Sequence, residues 1–142
     1  MPVYTRTIKV KTHGFNETHE ITSKVQDVLH QSTLRNGVVT VFVPGSTAGI
    51  TTIEFESGVV EDLKKAIDRL APQGIHYDHD TRWGDGNGFS HVRAALLGPS
   101  LTIPFTDGKL QLGTWQQIVL IDFDNRSRSR EIIVNIVGET SD

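Results

Sequence analysis

Val38-Val39-Thr40-Val41-Phe42-Val43-Pro44-Gly45-Ser46-Thr47-Ala48-Gly49-Ile50-Thr51-Thr52-Ile53-Glu54-Phe55 reads as strand, break and strand with no helix between. The first six residues are β-branched or aromatic and apolar on both faces, as an interior strand requires. Pro44 to Thr47 interrupt it. Ala48 to Phe55 then alternate, placing Thr52 and Glu54 on one face and Thr51, Ile53 and Phe55 on the other. Strands that follow one another directly argue against regular βαβ alternation and for an antiparallel architecture.

Working outward, residues 3–12 alternate with a period of two, setting Tyr4, Ile8 and Val10 on one face of a half-buried strand. Gly14-Phe15-Asn16 marks a turn, with Thr18–Thr22 expected to return as the second arm of a hairpin. Ser23 and Gln26 form a capping-box signature before Val25, Val28, Leu29 and Ser32 at helical spacing, and Asn36-Gly37 supplies the stop. From Ser57 the period is helical again through Val59, Val60, Leu63, Ile67 and Leu70, with Pro72 and Gly74 closing it. Phe89–Leu97 reads as a strand with His91 and Arg93 on one face. Leu101–Phe105, an Asp107-Gly108 hairpin signal, Thr114–Phe123 and Glu131–Val137 complete the chain. The expectation is an α+β fold: a β-sandwich of about seven to eight mostly antiparallel strands with two packed helices, residues 1–142 forming one domain.

The chain of 142 residues carries 14 basic and 17 acidic residues, a net charge of -3, which offers phosphate backbones no general attraction; no nucleic-acid partner is expected. It contains no cysteine, so a metal here must use His, Asp, Glu or Asn. The first residues lack the apolar core of a signal peptide, and no run approaches the ~20 apolar residues of a membrane helix. A cytoplasmic location and no membrane partner are the expectation.

Polar chemistry concentrates between Tyr77 and Arg93. His79 and His91 are candidate metal ligands, with Asp78, Asp80, Asp85 and Asn87 available as oxygen ligands or to orient the rings. Surface or hydrogen-bonded histidines are the plainer alternative. Asp85-Gly86-Asn87-Gly88 suits a turn, or a backbone nest for phosphate. An EF-hand is excluded, because Arg82, Trp83 and Phe89 occupy positions where an oxygen ligand, a glycine and a glutamate are needed. Glu54, on the strand's Thr52 face, is either an inward-facing acid in functional use or a plainly solvent-exposed one. Arg126 and Arg128 suit a solvated hairpin tip, whereas Arg130, at a strand's start, is the better anion ligand. Trp115 is expected in a strand, as core or subunit contact.

Taken together, Ser46-Thr47-Ala48, Glu54, Asp62, Tyr77-x-His79, Asp85-Gly86-Asn87-Gly88-x-Ser90-His91, Gly108-Lys109-Leu110-x-Leu112-Gly113-Thr114-Trp115-Gln116 and Arg128-x-Arg130 resemble the YjbQ-type family, often labelled secondary thiamine-phosphate synthase. The resemblance runs over nearly the whole chain. It implies a compact α+β sandwich, a homotrimer, and pockets near subunit boundaries. It makes His79, His91 and Asp85 metal ligands for a divalent ion, zinc or magnesium, and Thr47, Asn87 and Gln116 contacts for a small phosphorylated ligand. The implied reaction joins a pyrimidine pyrophosphate to a thiazole phosphate with release of pyrophosphate, Arg93 and Arg130 stabilising the leaving charge and Glu54 assisting proton transfer. Many members carry a third histidine three positions before the alanine, where this chain has Gly45. That departure motivates an alternative, a non-catalytic trimeric protein that binds a divalent metal or a small anion.

Overall fold

The computed structural model describes residues 2–140. Eight strands form two antiparallel sheets: β1 (Val3–Thr12), β2 (Glu17–Glu20), β3 (Asn36–Phe42), β4 (Ala48–Ile53), β5 (Ser100–Thr106), β6 (Lys109–Leu110), β7 (Gln117–Asp122) and β8 (Arg128–Glu139). The five-stranded sheet runs β1-β8-β3-β5-β6 and the three-stranded sheet β2-β7-β4. The α+β sandwich expected from the sequence is the observed fold, but it carries four helices rather than two: α1 (Thr22–Ser32), α2 (Ser57–Leu70), α3 (Asp78–Trp83) and α4 (Gly88–Leu97).

The core lies between the sheets. Ile8, Val10, Val39, Val41, Ile132, Val134, Ile136 and Phe105 from the larger sheet meet Ile50, Ile118 and Leu120 from the smaller, with Val25 and Leu29 of α1 closing one side. β7 is buried on both faces. Ile118 and Leu120 enter this core, while Val119 and Ile121, with Phe123 beyond the strand, pack on the opposite side with Ile67 of α2 and Ala94 of α4. A strand between two apolar layers needs a continuous rather than alternating apolar run, which Ile118–Ile121 supplies. β3 is interior in its sheet as expected, yet its outer face is uncovered, leaving Val38 and Phe42 exposed.

Several local expectations are corrected. Phe89–Leu97 is a helix: Phe89, Ser90, Arg93 and Ala94 are its buried residues, a helical rather than alternating set, and Ala94-Ala95-Leu96-Leu97 are strong helix formers. The loop expected around His79 contains α3, whose end is set by Gly84 in the left-handed region. At α1 the Ser23/Gln26 capping box does not form; Gln26 instead accepts from the Leu110 N–H and donates to the Gly108 carbonyl. That helix stops at left-handed Thr33, and Asn36-Gly37 already belongs to β3. On the α2 stripe, Leu70 and Val59 remain exposed. Asp107-Gly108 forms the expected tight hairpin, both residues having positive φ.

β2 is not the second arm of a hairpin with β1; it pairs with β7 in the other sheet. The cause is the turn between them. Gly14, Phe15 and Asn16 have φ of 87°, 52° and 67°, and the Phe15 and Asn16 N–H groups donate to the Asp124 and Asp122 carbonyls at 2.9 Å. These bonds carry the chain across from one sheet to the other. A Cβ on Gly14 would lie 2.2 Å from the Asp124 carbonyl oxygen. Gly14→Ala is therefore expected to cost about 1–2 kcal/mol from the left-handed conformation alone, and more through the clash. A lowered urea midpoint at unchanged slope checks this; an unchanged midpoint counts against it.

Candidate functional site

One end of the sandwich gathers strand ends that are distant in sequence. Ile118, Leu120 and Asp122 share a face of β7, so Asp122 points between the sheets just beyond the core. It is fully buried and meets Arg130 of β8, whose Nε and Nη2 donate to its two oxygens at 2.7 and 3.0 Å, and Thr12 at the end of β1. Asp124, also fully buried, accepts from Thr47 Oγ1 at 3.0 Å, Asn87 Nδ2 at 3.3 Å and Arg128 Nε at 2.9 Å. Arg130 Nη2 donates to Thr47 Oγ1 at 2.7 Å, tying the two carboxylate centres together.

Burial works to raise both carboxyls. For Asp122 it is outweighed by hydrogen bonds from Arg130, Thr12 and the Asp124 N–H, and for Asp124 by those from the Asn125 N–H, Asn87, Arg128 and Thr47; both titrate below the ordinary carboxylate range. A depressed folded pKa stabilises the fold above the unfolded value of about 3.9. That contribution is lost as pH falls through the folded value. The thermal midpoint should hold down to about pH 5 and drop below about pH 4, and Asp122→Asn should flatten part of that drop. An equal acid-induced fall in the variant would contradict the assignment.

α3 and α4 bring the histidines to this end. Tyr77 OH donates to the Pro72 carbonyl at 2.7 Å and anchors the start of α3, while Asp80 Oδ1 accepts from the Gly88 N–H at 2.8 Å and joins α3 to the start of α4. The helices close tightly there, since a Cβ on Gly88 would stand 2.6 Å from Tyr77 Cβ. The His79 and His91 ring centroids lie 4.4 Å apart. His79 Nδ1 is buried without a hydrogen-bond partner, 3.6 Å from Asp80 Oδ1 and 3.5 Å from Asp85 Oδ1. Among the described residues, His79, Asp80 and Asp85 form the one group of three His or acidic ligand atoms all within 4.8 Å of each other. His91 stands outside that tight group but faces the same cleft.

These residues fit a divalent metal. The 3.5–3.6 Å separations are too long for hydrogen bonds. Both are measured from His79 Nδ1 and match the edges, about 3.3–3.6 Å, of a tetrahedron whose centre is 2.0–2.2 Å from each ligand; the third separation, Asp80 to Asp85, lies within 4.8 Å. His79, Asp85 and His91 are the expected ligands; Asp80, offered by the sequence as an oxygen ligand or an orienting group, stands with His79 and Asp85.

The cleft, about 380 Å³, is also lined by Gly45, Ser46, Thr47, Trp83, Asn87, Arg128 and Arg130. Both arginines hold their aspartates through Nε and Nη2, and Nη1 of each makes no hydrogen bond among the described residues. Arg130 Nη1 lies 3.2 Å from where a Cβ on Gly45 would stand, so it faces the cleft. Asn87 turns its amide nitrogen to Asp124 and leaves a buried Oδ1 without a partner.

The other expected site residues lie elsewhere. Glu54 follows the far end of β4, seven residues from Thr47 and so about 20 Å away at ~3.3 Å per residue; it lines a separate surface pocket with Glu20, Phe55 and Trp115. Gln116 belongs to that end too, bonded to Thr52 Oγ1 at 3.1 Å and to the Gly113 N–H at 3.0 Å. Trp115 precedes β7 and is exposed, neither in a strand nor in the core. Arg93 is corrected from a phosphate ligand to a structural residue: it is buried, donating to the Ala71 carbonyl and Asn16 Oδ1 and pairing with Asp68 at 3.0 Å. In a strand His91 and Arg93 would share a face; in a helix two residues are ~200° apart. Arg128 is likewise no solvated tip, being held by Asp124 at 2.8 Å.

The residues that the sequence reading passed over are Asp122, Asp124 and Thr12. Their signal lay in Ile118-Val119-Leu120-Ile121-Asp122-Phe123-Asp124, where two acids continue a run apolar on both faces. Such carboxylates are tolerated only when paired.

The sequence profile of the UPF0047 protein YjbQ-like family matches residues 6–139. A UPF0047 protein from Methanothermobacter thermautotrophicus is 38% identical over 139 residues, covering 98% of this chain and 95% of its own. YugU of Bacillus subtilis is 30% identical over 94% of this chain and 98% of its own. The crystal structure of a protein of unknown function from Sulfolobus solfataricus superposes with a TM-score of 0.92 at 35% identity, covering 97% of this chain and 99% of its own. One from Clostridium acetobutylicum gives 0.85 at 33%, covering 93% and 99%. No helix among the described residues is long and apolar enough to cross a membrane. With the profile spanning nearly the whole chain and these relatives matching it end to end, the protein belongs to the YjbQ/UPF0047 family.

Proposed function

We propose that this protein is a divalent-metal-dependent enzyme acting on a small phosphorylated compound, of the kind that joins a pyrimidine pyrophosphate to a thiazole phosphate with release of pyrophosphate. The observation that carries this reading is the convergence of His79, His91 and Asp85 beside the free Nη1 groups of Arg128 and Arg130. Asp122 and Asp124 offset the charge of the two arginines, so the guanidinium groups are oriented donors more than a source of net positive charge. Attraction for an anion then rests on the metal. A metal held by His79, His91 and Asp85, zinc or magnesium, would stabilise charge developing on a leaving pyrophosphate. Arg130, fixed through Asp122 and Thr47, directs Nη1 into the cleft, where a phosphate oxygen can accept from it. Glu54 lies too far away in the same chain to move a proton in this cleft.

We also propose a homotrimer. The uncovered outer face of the five-stranded sheet supports self-association: Val3, Val137, Val38 and Pro104 stand in register across four strands, and Phe42 is exposed four residues further along β3. Light scattering should give about 47 kDa, three times the 15.7 kDa chain.

The enzyme reading is tested by supplying zinc- or magnesium-loaded protein with the two precursors and measuring thiamine phosphate and pyrophosphate. No product, with a control synthase active in the same buffer, sinks it. One observation favours a second reading, a protein that binds metal and anion without turnover: every carboxylate at the cleft is either engaged by arginine or set beside His79. Retained zinc and phosphate binding without product would select that reading.

A further inference from the structure

Resting on the metal-and-phosphate reading above, we propose that Trp83 is the aromatic platform on which the planar ring of the phosphorylated ligand stacks, and so a residue that sets the preference for a ring. Trp83 is 70% exposed, yet it stands at a cleft whose other walls are polar: histidines, arginines, Asn87 and Asp85. Exposure alone does not single it out, since Trp115 is 73% exposed as well; Trp83 differs in lining the cleft that holds His79 and His91.

Its placement is defined. Trp83 is the last residue of α3, where Gly84 adopts φ 73° and returns its N–H to the Asp80 carbonyl at 2.8 Å, ending the helix at that point. His79 lies four residues earlier, so the two side chains share a helix face with Cβ atoms about 5–6 Å apart. The indole therefore flanks the His79 imidazole, and Arg128 and Arg130 line the same cleft, Arg130 with its Nη1 beside Gly45. A ligand anchored by phosphate at the arginines and metal would lay its remaining atoms beside Trp83, whose π-face favours a flat ring over a saturated one. At about 380 Å³ the cleft is near the lower end of ligand pockets, suited to small phosphorylated rings rather than a dinucleotide.

Calorimetry on zinc-loaded protein with methyl phosphate, cyclohexyl phosphate and phenyl phosphate tests this. Phenyl phosphate should bind about tenfold tighter than methyl phosphate, the size of one base–aromatic stack, with cyclohexyl phosphate near methyl phosphate. Trp83→Ala should bring phenyl phosphate down to the methyl phosphate affinity and leave methyl phosphate within about twofold. Trp83→Phe should keep most of the preference. Equal binding of phenyl and methyl phosphate by the unaltered protein overturns the platform while leaving the phosphate reading standing. So does a ring preference that survives Trp83→Ala, or an indole occupied by a subunit contact, seen as a Trp83→Ala variant of changed oligomeric mass. If methyl phosphate itself does not bind, the underlying reading fails and the platform falls with it.

Discussion

His91→Ala is expected to abolish stoichiometric zinc binding while leaving the fold intact. His91 is partly exposed on α4, and its ring meets His79 at 4.4 Å, so its removal leaves no large buried cavity. A metal held in this cleft would lose an imidazole and keep only His79 with carboxylates, a set better suited to weakly held hard cations than to zinc. Loss of an outer partner alone typically costs 10–100-fold in affinity; loss of a ligand should exceed that. At zinc a hundredfold above its dissociation constant, the unaltered protein should gain about 2.7 kcal/mol of stability and the variant almost none. His79→Ala should behave alike. Asp80→Asn should weaken zinc by the smaller 10–100-fold factor. His13→Ala and His19→Ala, whose imidazoles pair with Glu17 and do not line the cleft, should bind zinc as before. Elemental analysis after dialysis, paired with thermal melts with and without zinc, checks the set. Full zinc occupancy in both His79→Ala and His91→Ala would remove the metal centre from this cleft.

The sandwich was legible because its period-two and continuous apolar runs are local signals. β1 spans Val3–Thr12 as expected, and β3, β5 and the Asp107-Gly108 hairpin follow the same logic. Pairing was less legible. Whether Thr18–Glu20 returns along β1 or crosses to β7 depends on three consecutive left-handed residues, two of them bonded to carbonyls more than a hundred positions away. The helix at Phe89–Leu97 escaped because polar and apolar residues alternate through His91, Val92, Arg93 and Ala94 by coincidence with a buried helical stripe. That misreading also misplaced Arg93. For the site, residue chemistry and family resemblance pointed to His79, His91, Asp85, Asn87, Thr47 and Arg130, which the fold brings to one cleft. Glu54 and Gln116 lie at the opposite end of β4, a separation that depends on which way that strand runs and not on motif spacing. Asp122 and Asp124 stayed hidden because their partners come from four other segments.

Asp122→Ala is expected to destabilise the protein by about 3–5 kcal/mol, the usual cost of breaking a buried ion pair, against a total stability of about 5–15 kcal/mol for a domain. Asp122 is fully buried between the sheets, and its removal strips Arg130, itself only 7% exposed, of both hydrogen bonds to its carboxylate. It also leaves Thr12 Oγ1 with only the Arg128 carbonyl at 3.3 Å. The remaining carboxylate near Arg130, Asp124 at 4.0 Å, is already engaged by Arg128, Thr47 and Asn87. Asp122→Asn keeps the shape and one acceptor but not the charge, so its loss should be smaller. The informative comparison is the double variant Asp122→Leu with Arg130→Met, which replaces both charges by apolar side chains at the edge of an apolar core. Replacing a buried pair in this way is often neutral or better, so the double variant should recover most of the stability lost by Asp122→Ala. It should nevertheless bind methyl phosphate at least tenfold more weakly than the unaltered protein, because a charge-assisted arginine bond of about 1.5–3 kcal/mol is gone. Stability restored with phosphate binding lost would separate the two roles of the pair: pinning the sheets together and aiming Nη1 at the ligand. If the double variant binds phosphate as tightly as the unaltered protein, Arg130 is only a pin.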